Sequence, residues 1–376
     1  MESMDIQKPE LILNERQCLS NLSKMLEKAR QHHVAFRPHF KTHQSLEIGQ
    51  WHKNLGVDRI TVSSNRMASY FLNDGWKDIT VAFPVNIREI GLINEMAVKS
   101  KLGILLSTPD VLPFLVKQIR NEVFFYIEID NGAHRSGIAP FEVEILDSIL
   151  EKTKNTYLRF SGFLTHAGNT YAASSVQEIL DIHNNSLLDF EQLKSRYQSQ
   201  YPDMEFSMGD TPSCSLASDF ACVTEIRPGN YLFYDVMQYL LGSCTLQDIA
   251  LSMYCPVVAV YEKRKQAIIY GGAIHFSKDF VIDRHGRKIF GLPAIFNPNG
   301  EFVRLIDGYL SSLSQEHGVV TLNDDLTNEL KYGDVLGILP VHACLTADCM
   351  TCYWTTEGEK IEMMPESSSC GSTSGT

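Results

Sequence analysis

The feature that most limits what this chain can fold into is a sustained alternation. Short apolar runs, rich in β-branched and aromatic residues, recur at 34–37, 59–63, 78–83, 102–106, 122–129, 158–164, 204–208 and 221–226. Between them lie stretches of helical periodicity, among them Asn65 to Asn73, Ile87 to Val98 and the long segment 174–199. Eight strands alternating with helices predict a closed α/β barrel of the (β/α)8, TIM-like kind, with a doubly wound open sheet as the structural alternative. Local signals agree with the alternation. Asn14 stands where an N-cap should, with Gln17 three residues on, and opens a helix to about Gln31. Thr108 followed by Pro109 opens another.

The texture changes near residue 250. Val257 to Val260 and Ala267 to Tyr270 flank a polar turn, Phe280 to Ile282 and Lys288 to Phe290 flank another, and Val335 to Pro340 reads as a further strand. The expected organisation is a barrel over 14–249, a second and mostly β C-terminal domain over 250–364 joined by the N-terminal strand 10–13, and a Ser/Gly-rich tail, 365–376, expected to be disordered.

Composition narrows the function. The net charge is −12, which speaks against nucleic acid as a partner, because binding a phosphate backbone needs clustered Lys and Arg. The basic run Lys263-Arg264-Lys265 is short and reads as a hairpin turn. There is no apolar run of about 18 residues, so no membrane span is expected. The N-terminus lacks the basic and apolar regions of a secretory signal, which places the protein in the cytoplasm with its nine cysteines reduced.

In a barrel the chemistry sits at the C-terminal ends of the strands. The first run leads into Arg37-Pro38-His39-Phe40-Lys41-Thr42-His43, where a lysine is flanked by histidines. A lysine past a strand is usually a solvated charge; it becomes functional when a carbonyl compound is present to form a Schiff base with it. The fifth run leads into Asp130-Asn131-Gly132-Ala133-His134-Arg135-Ser136-Gly137, the sixth into Thr165-His166-Ala167-Gly168-Asn169-Thr170-Tyr171. The seventh leads into Ser207-Met208-Gly209-Asp210-Thr211-Pro212-Ser213, a loop of free N–H groups and hydroxyls before a helix start, which can bind phosphate. The eighth leads into Arg227-Pro228-Gly229-Asn230-Tyr231-Leu232-Phe233-Tyr234. A carbonyl-trapping amine, a phosphate cradle, an arginine and several hydroxyls together suit pyridoxal 5′-phosphate.

The same segments, in the same order, resemble the D-serine dehydratase and D-threonine aldolase family, whose barrel is that of alanine racemase and the other fold type III pyridoxal-phosphate enzymes. The resemblance covers residues 10 to 355. It implies that Lys41 bears the cofactor, that Arg135 bonds its phenolic oxygen and that Tyr171 contacts the ring near its pyridine nitrogen. It further implies that Gly209, Asp210 and Thr211 hold the phosphate through backbone N–H groups, that Tyr231 and Tyr234 line the phosphate side, and that His166 belongs to the same pocket. A substrate amine would displace Lys41, which would then remove the Cα proton.

Near the end stands Pro340-Val341-His342-Ala343-Cys344. Read as a strand, His342 and Cys344 share a face. The resemblance places metal ligands here, and zinc suits an imidazole–thiolate pair that must keep open positions for substrate. The implied activity is a metal-assisted lyase reaction on a small D-amino acid with a β-hydroxyl. Cys344 favours the D-serine or D-threonine dehydratase type. Retro-aldol cleavage, racemisation and non-catalytic pyridoxal-phosphate binding are the alternatives. A homodimer is expected from the resemblance alone. Gln44 replaces a basic residue usual in the family, and His275 stands where a smaller or apolar residue is expected; either position bears on the substrate. Cys349 and Cys352 lack a second pair to complete a structural zinc site and read as ordinary thiols.

Overall fold

A computed structural model describes residues 5–323 and 330–365. Eight parallel strands form the first sheet: β2 (Ala35–Phe36), β3 (Arg59–Val62), β4 (Asp78–Pro84), β5 (Lys101–Leu106), β6 (Val123–Glu128), β7 (Leu158–Thr165), β8 (Glu205–Met208) and β9 (Glu225–Ile226). Their spatial order is β2-β9-β8-β7-β6-β5-β4-β3. The ring nearly closes: an isolated bridge joins His39 to Thr61, and the Thr61 N–H donates to the Pro38 carbonyl at 2.9 Å. This is the predicted alanine-racemase-like barrel. Helices α1 (Glu15–Gln31), α2 (Leu46–Asn54), α3 (Asn65–Asn73), α4 (Ile90–Ala97), α5 (Leu112–Gln118), α6 (Val143–Thr153), α7 (Val176–Tyr197) and α8 (Thr211–Leu216) follow the strands.

Caps set several boundaries. Asn14 accepts from the Gln17 N–H at 3.1 Å and Ser64 from the Met67 N–H at 3.2 Å, each satisfying a donor that the first turn leaves free. The predicted strands 34–37 and 221–226 are shorter than expected. Pro38 and Pro228 cannot donate to a ladder and end both. Ahead of β9, the Val223 N–H bonds back to the Phe220 carbonyl, which makes a turn of the residues predicted as strand.

The bottom of the barrel is held by charge. Arg37, 1% exposed, donates to Glu225 at 2.7 Å and to Asp78 at 2.5 Å, tying β2 to β9 and β4. One glycine is obligatory for closure. Gly162 in β7 has φ +151, and a Cβ there would lie 1.9 Å from the Glu205 carbonyl oxygen of β8.

The second region begins after α9 (Val236–Leu240). Its strands are β10 (Leu251–Tyr261), β11 (Gln266–Tyr270), β12 (Val281–Ile282), β13 (Lys288–Ile289), β14 (Gly291–Phe296), β15 (Phe302–Leu305), β16 (Gly308–Leu313), β17 (His317–Leu322), β18 (Val335–Pro340), β19 (Cys352–Thr355) and β20 (Lys360–Glu362), with α10 (Ala273–Phe276) and α11 (Ala343–Asp348). The strands β10, β11, β17, β16, β14 and β18 close into an antiparallel barrel. The N-terminal strand β1 (Glu10–Leu13) pairs with β10 and β19, so the chain's start is built into the second sheet. Both predicted hairpins are present, β10–β11 and β12–β13. Of the expected tail, 365–376, all but the first residue lies outside the described residues. Among the described residues no helix is long and apolar enough to cross a membrane.

Candidate active site

The loops after β2, β6, β7, β8 and β9 converge where the barrel meets α11. Lys41 sits in a 3-10 turn, Phe40–Thr42, whose first residue is fully buried against Phe71, Trp76, His43 and His52. The buried ring anchors the turn, so the lysine beside it must project from the packed side. Solvent reaches the Lys41 side chain, yet its pKa is lowered. Desolvation by the surrounding loops is the main cause; Cys344 opposes it, while Arg135 and Arg227 add to it. A lysine so placed has a larger neutral fraction and is a better nucleophile toward a carbonyl.

Across from the turn, β8 leads into α8. Asp210 caps α8, accepting from the Ser213 N–H at 2.6 Å and the Thr170 hydroxyl at 3.2 Å. Burial raises Asp210 to about 6. The Thr211 and Ser213 hydroxyls beside it are buried and have no partner. Two orphaned hydroxyls fit a phosphate ester, while the Gly209, Thr211 and Ser213 N–H groups are engaged by the Thr165 carbonyl, Tyr171 and Asp210. The Tyr171 hydroxyl accepts from the Thr211 N–H at 3.3 Å. That bond ties the Tyr171 side chain to the first turn of α8. His166 bonds through Nδ1 to the Gly209 carbonyl, and is held near pKa 3 first by burial and then by Arg135 and Lys41. Gly229 allows the β9 loop to meet the lysine turn: a Cβ there would lie 2.7 Å from the Thr42 hydroxyl and 3.0 Å from the His39 carbonyl.

Tyr231 and Tyr234 are the residues expected on the phosphate side. Tyr231 lies among packed core side chains. It is buried, its hydroxyl lies 2.9 Å from His52 Nε2, and its ring packs edge-on against Phe36. Tyr234 lies 3.1 Å from the Ser215 hydroxyl, near the far end of α8 from the cradle. Arg135 projects over the mouth, 60% exposed and 3.9 Å from Glu128. Arg227 was not singled out as a site residue, although it lies in a quoted motif. It is buried, donates to the Ser207 hydroxyl at 2.7 Å and the Thr165 carbonyl at 2.6 Å, and its charge reaches His39, Lys41 and His166. An arginine ending the last barrel strand before Pro-Gly was the available signal.

The predicted metal pair is present, but not on a strand. β18 ends at Pro340; His342 is the extended residue before α11, and Cys344 lies in its first turn. The two side chains therefore do not share a strand face; one extended residue followed by a helical turn brings them together. His342 Nδ1 is 2.7 Å from Asp279, and Cys344 Sγ is 3.4 Å from the Thr42 hydroxyl, one residue from Lys41. Burial works against charge on His342. Hydrogen bonds to Asp279 and Cys344 and the nearby Asp235 outweigh it and raise the imidazole to about 10. The surroundings thus favour the protonated imidazole. Among the described residues no group of three or more His, Cys, Asp or Glu side chains is arranged to hold an ion, so a metal here would take its remaining ligands from water or substrate.

His275 faces away from this chemistry. Its Nδ1 accepts from the Gly272 N–H at 3.2 Å and its ring meets Tyr270 edge-on. Gln44 is also structural, donating to Asp348 of α11 at 2.7 Å.

Comparison with known proteins bears on the family and the fold. Residues 14–236 match the family described as alanine racemase, N-terminal domain, and residues 250–356 match the putative serine dehydratase domain. The chain is 28% identical to the D-serine dehydratase of Dictyostelium discoideum over 366 residues, covering 89% of each. It is 27% identical to the D-threo-3-hydroxyaspartate dehydratase of Delftia sp. (strain HT23) over 349 residues, covering 89% of this chain and 90% of that one. The solved structure of the Delftia protein superposes with a TM-score of 0.87 over 96% of this chain and 98% of that chain, at 25% identity. The chain belongs to the alanine racemase N-terminal domain family and joins that barrel to a putative serine dehydratase domain.

Proposed function

We propose that this chain is a pyridoxal-phosphate-dependent, metal-assisted lyase acting on D-amino acids with a β-hydroxyl, of the dehydratase type. The observation that carries the reading is the contact between Thr42 and Cys344, which sets the lysine turn and the His342–Cys344 pair side by side. Lys41 would bear the cofactor, with the unpartnered Thr211 and Ser213 hydroxyls toward its phosphate and Arg135 over the mouth. Pyridoxal phosphate supplies an electron sink for charge developing at Cα. His342 and Cys344 would hold one divalent ion, zinc by ligand preference, whose chemistry is that of a Lewis acid toward the β-hydroxyl.

The chain's own groups then divide the work. Lys41, with its lowered pKa, accepts the Cα proton at Nζ. Arg227 and Arg135 keep the mouth cationic for an anionic substrate. Asp279 orients the His342 ring through Nδ1 and leaves Nε2 for a ligand. The products would be a 2-oxo acid and ammonia. A similar solved protein supports the metal: D-threo-3-hydroxyaspartate dehydratase has been solved as a histidine-to-alanine mutant and, metal-free, as a cysteine-to-alanine mutant, the two positions lying two residues apart. A homodimer in the cytoplasm is the expected setting.

The test is a 2-oxo acid assay over a panel of D- and L-amino acids, with and without chelator. Turnover of D-β-hydroxy substrates, lost on chelation and in Lys41→Ala and Cys344→Ala, is the expected result. Turnover untouched by chelator, or borohydride trapping of the cofactor on another lysine, overturns it.

A further inference from the structure

Asp235 lies in the loop between β9 and α9, and the chemistry above makes no use of it. Its side chain is fully buried. One carboxylate oxygen accepts from the Gln238 N–H at 2.9 Å and caps α9. The other accepts from Asn230 Nδ2 at 2.5 Å and from the Ala343 N–H at 2.9 Å. These donors come from two segments, Asn230 from Asp235's own loop and Ala343 from the start of α11. Asn230 follows Gly229, whose Cα face rests on Thr42 and His39 at the lysine turn. Ala343 is the residue between His342 and Cys344.

That second contact matters for geometry. His342 is extended, with φ −134 and ψ 97, and the helix begins at the next residue. The two side chains converge only if the chain turns at Ala343, and the N–H that Asp235 holds belongs to that residue. A carboxylate sealed from water must keep its donors, because each one lost leaves buried charge unsatisfied. Asp235 is therefore pinned from both segments at once.

We propose that Asp235 is a positioning residue: it sets the turn between His342 and Cys344 against the cofactor-bearing loops, so that the metal pair and the lysine turn are held in one geometry. The inference rests on the metal-assisted reading of the site.

The experiment measures zinc affinity of the full chain by competition with a chromophoric chelator, with circular dichroism confirming the fold. Wild type should bind one zinc per chain. Asp235→Asn keeps the shape but sets an amide N–H against an N–H donor; it should weaken zinc at least tenfold, equivalent to about 1.4 kcal/mol. Asn230→Ala touches neither ligand and removes only the bond from the cofactor side; it should still weaken zinc about threefold or more. Leu146→Ala, which opens a cavity under the buried face of α6, separates general destabilisation from positioning and should leave zinc affinity as in wild type. Folded Asp235→Asn and Asn230→Ala proteins with wild-type affinity would overturn the proposal while leaving the metal reading intact. If Asp235→Asn does not fold, Asn230→Ala decides. A wild-type chain that binds no zinc overturns the metal reading itself, and the inference falls with it for that separate reason.

Discussion

Replacing Tyr231 with phenylalanine separates two roles for that residue. His52 is 1% exposed, and its Nδ1–H has only the Ile48 carbonyl, at 2.9 Å, as a partner. Nε2 is then the acceptor for the Tyr231 hydroxyl. Tyr231→Phe removes that hydroxyl and strands a buried acceptor, at a cost of about 1–3 kcal/mol. Unfolding entropy of about 2.1 cal/mol/K per residue, over 376 residues, amounts to about 0.8 kcal/mol/K, so Tm should fall by about 1–4 °C. Calorimetry of the purified protein reads this directly. Tyr231→Phe combined with His52→Leu should recover much of the loss, because removing both partners leaves nothing unsatisfied. Pyridoxal-phosphate affinity, read by titrating cofactor-free protein, should change by less than about threefold. An unchanged Tm together with a tenfold or larger loss of cofactor affinity would refute the reasoning and put the hydroxyl in the phosphate cradle after all.

Acid should weaken the cofactor-free fold. Burial holds His52 near pKa 4 and His166 near 3, against about 6.5 in the unfolded chain, so the unfolded state binds protons first and stability rises with pH across that window. Going from pH 7 to 5 removes about 2 kcal/mol for each histidine, while Asp210, raised by burial to about 6, returns about 1; the urea midpoint should drop, and a higher midpoint at pH 5 would contradict this. Gly162→Ala should cost at least about 4 kcal/mol or prevent soluble expression, since the new methyl meets the β8 backbone; a thermal melt within 2–3 °C (about 2 kcal/mol) of wild type would count against it. Arg37→Leu leaves the Glu225 and Asp78 carboxylates without their buried partner and should cost about 3–5 kcal/mol in chemical denaturation. The double replacement with Glu225→Leu should be milder than Arg37→Leu alone.

What the sequence determined by itself was everything that depends on near neighbours. Strand and helix alternation, the Asn14 and Thr108 caps and the two hairpins are local patterns; the caps and hairpins are found where they were read, and the alternation holds apart from the shortened first and last barrel strands. Lys41 and the His342–Cys344 spacing were visible too, because motif order survives in the chain. What only the tertiary structure decided are the partners. Tyr231 meets a histidine 179 positions away, and Asp235 an N–H 108 positions away, so no local pattern could distinguish a phosphate ligand from a core tyrosine or mark a loop aspartate as a pin. The spacing of His342 and Cys344 was compatible with a shared strand face, but β18 ends at a proline and a helix begins. A backbone can bring two side chains two apart together in more than one way, and long-range contacts, here the buried carboxylate of Asp235, select which.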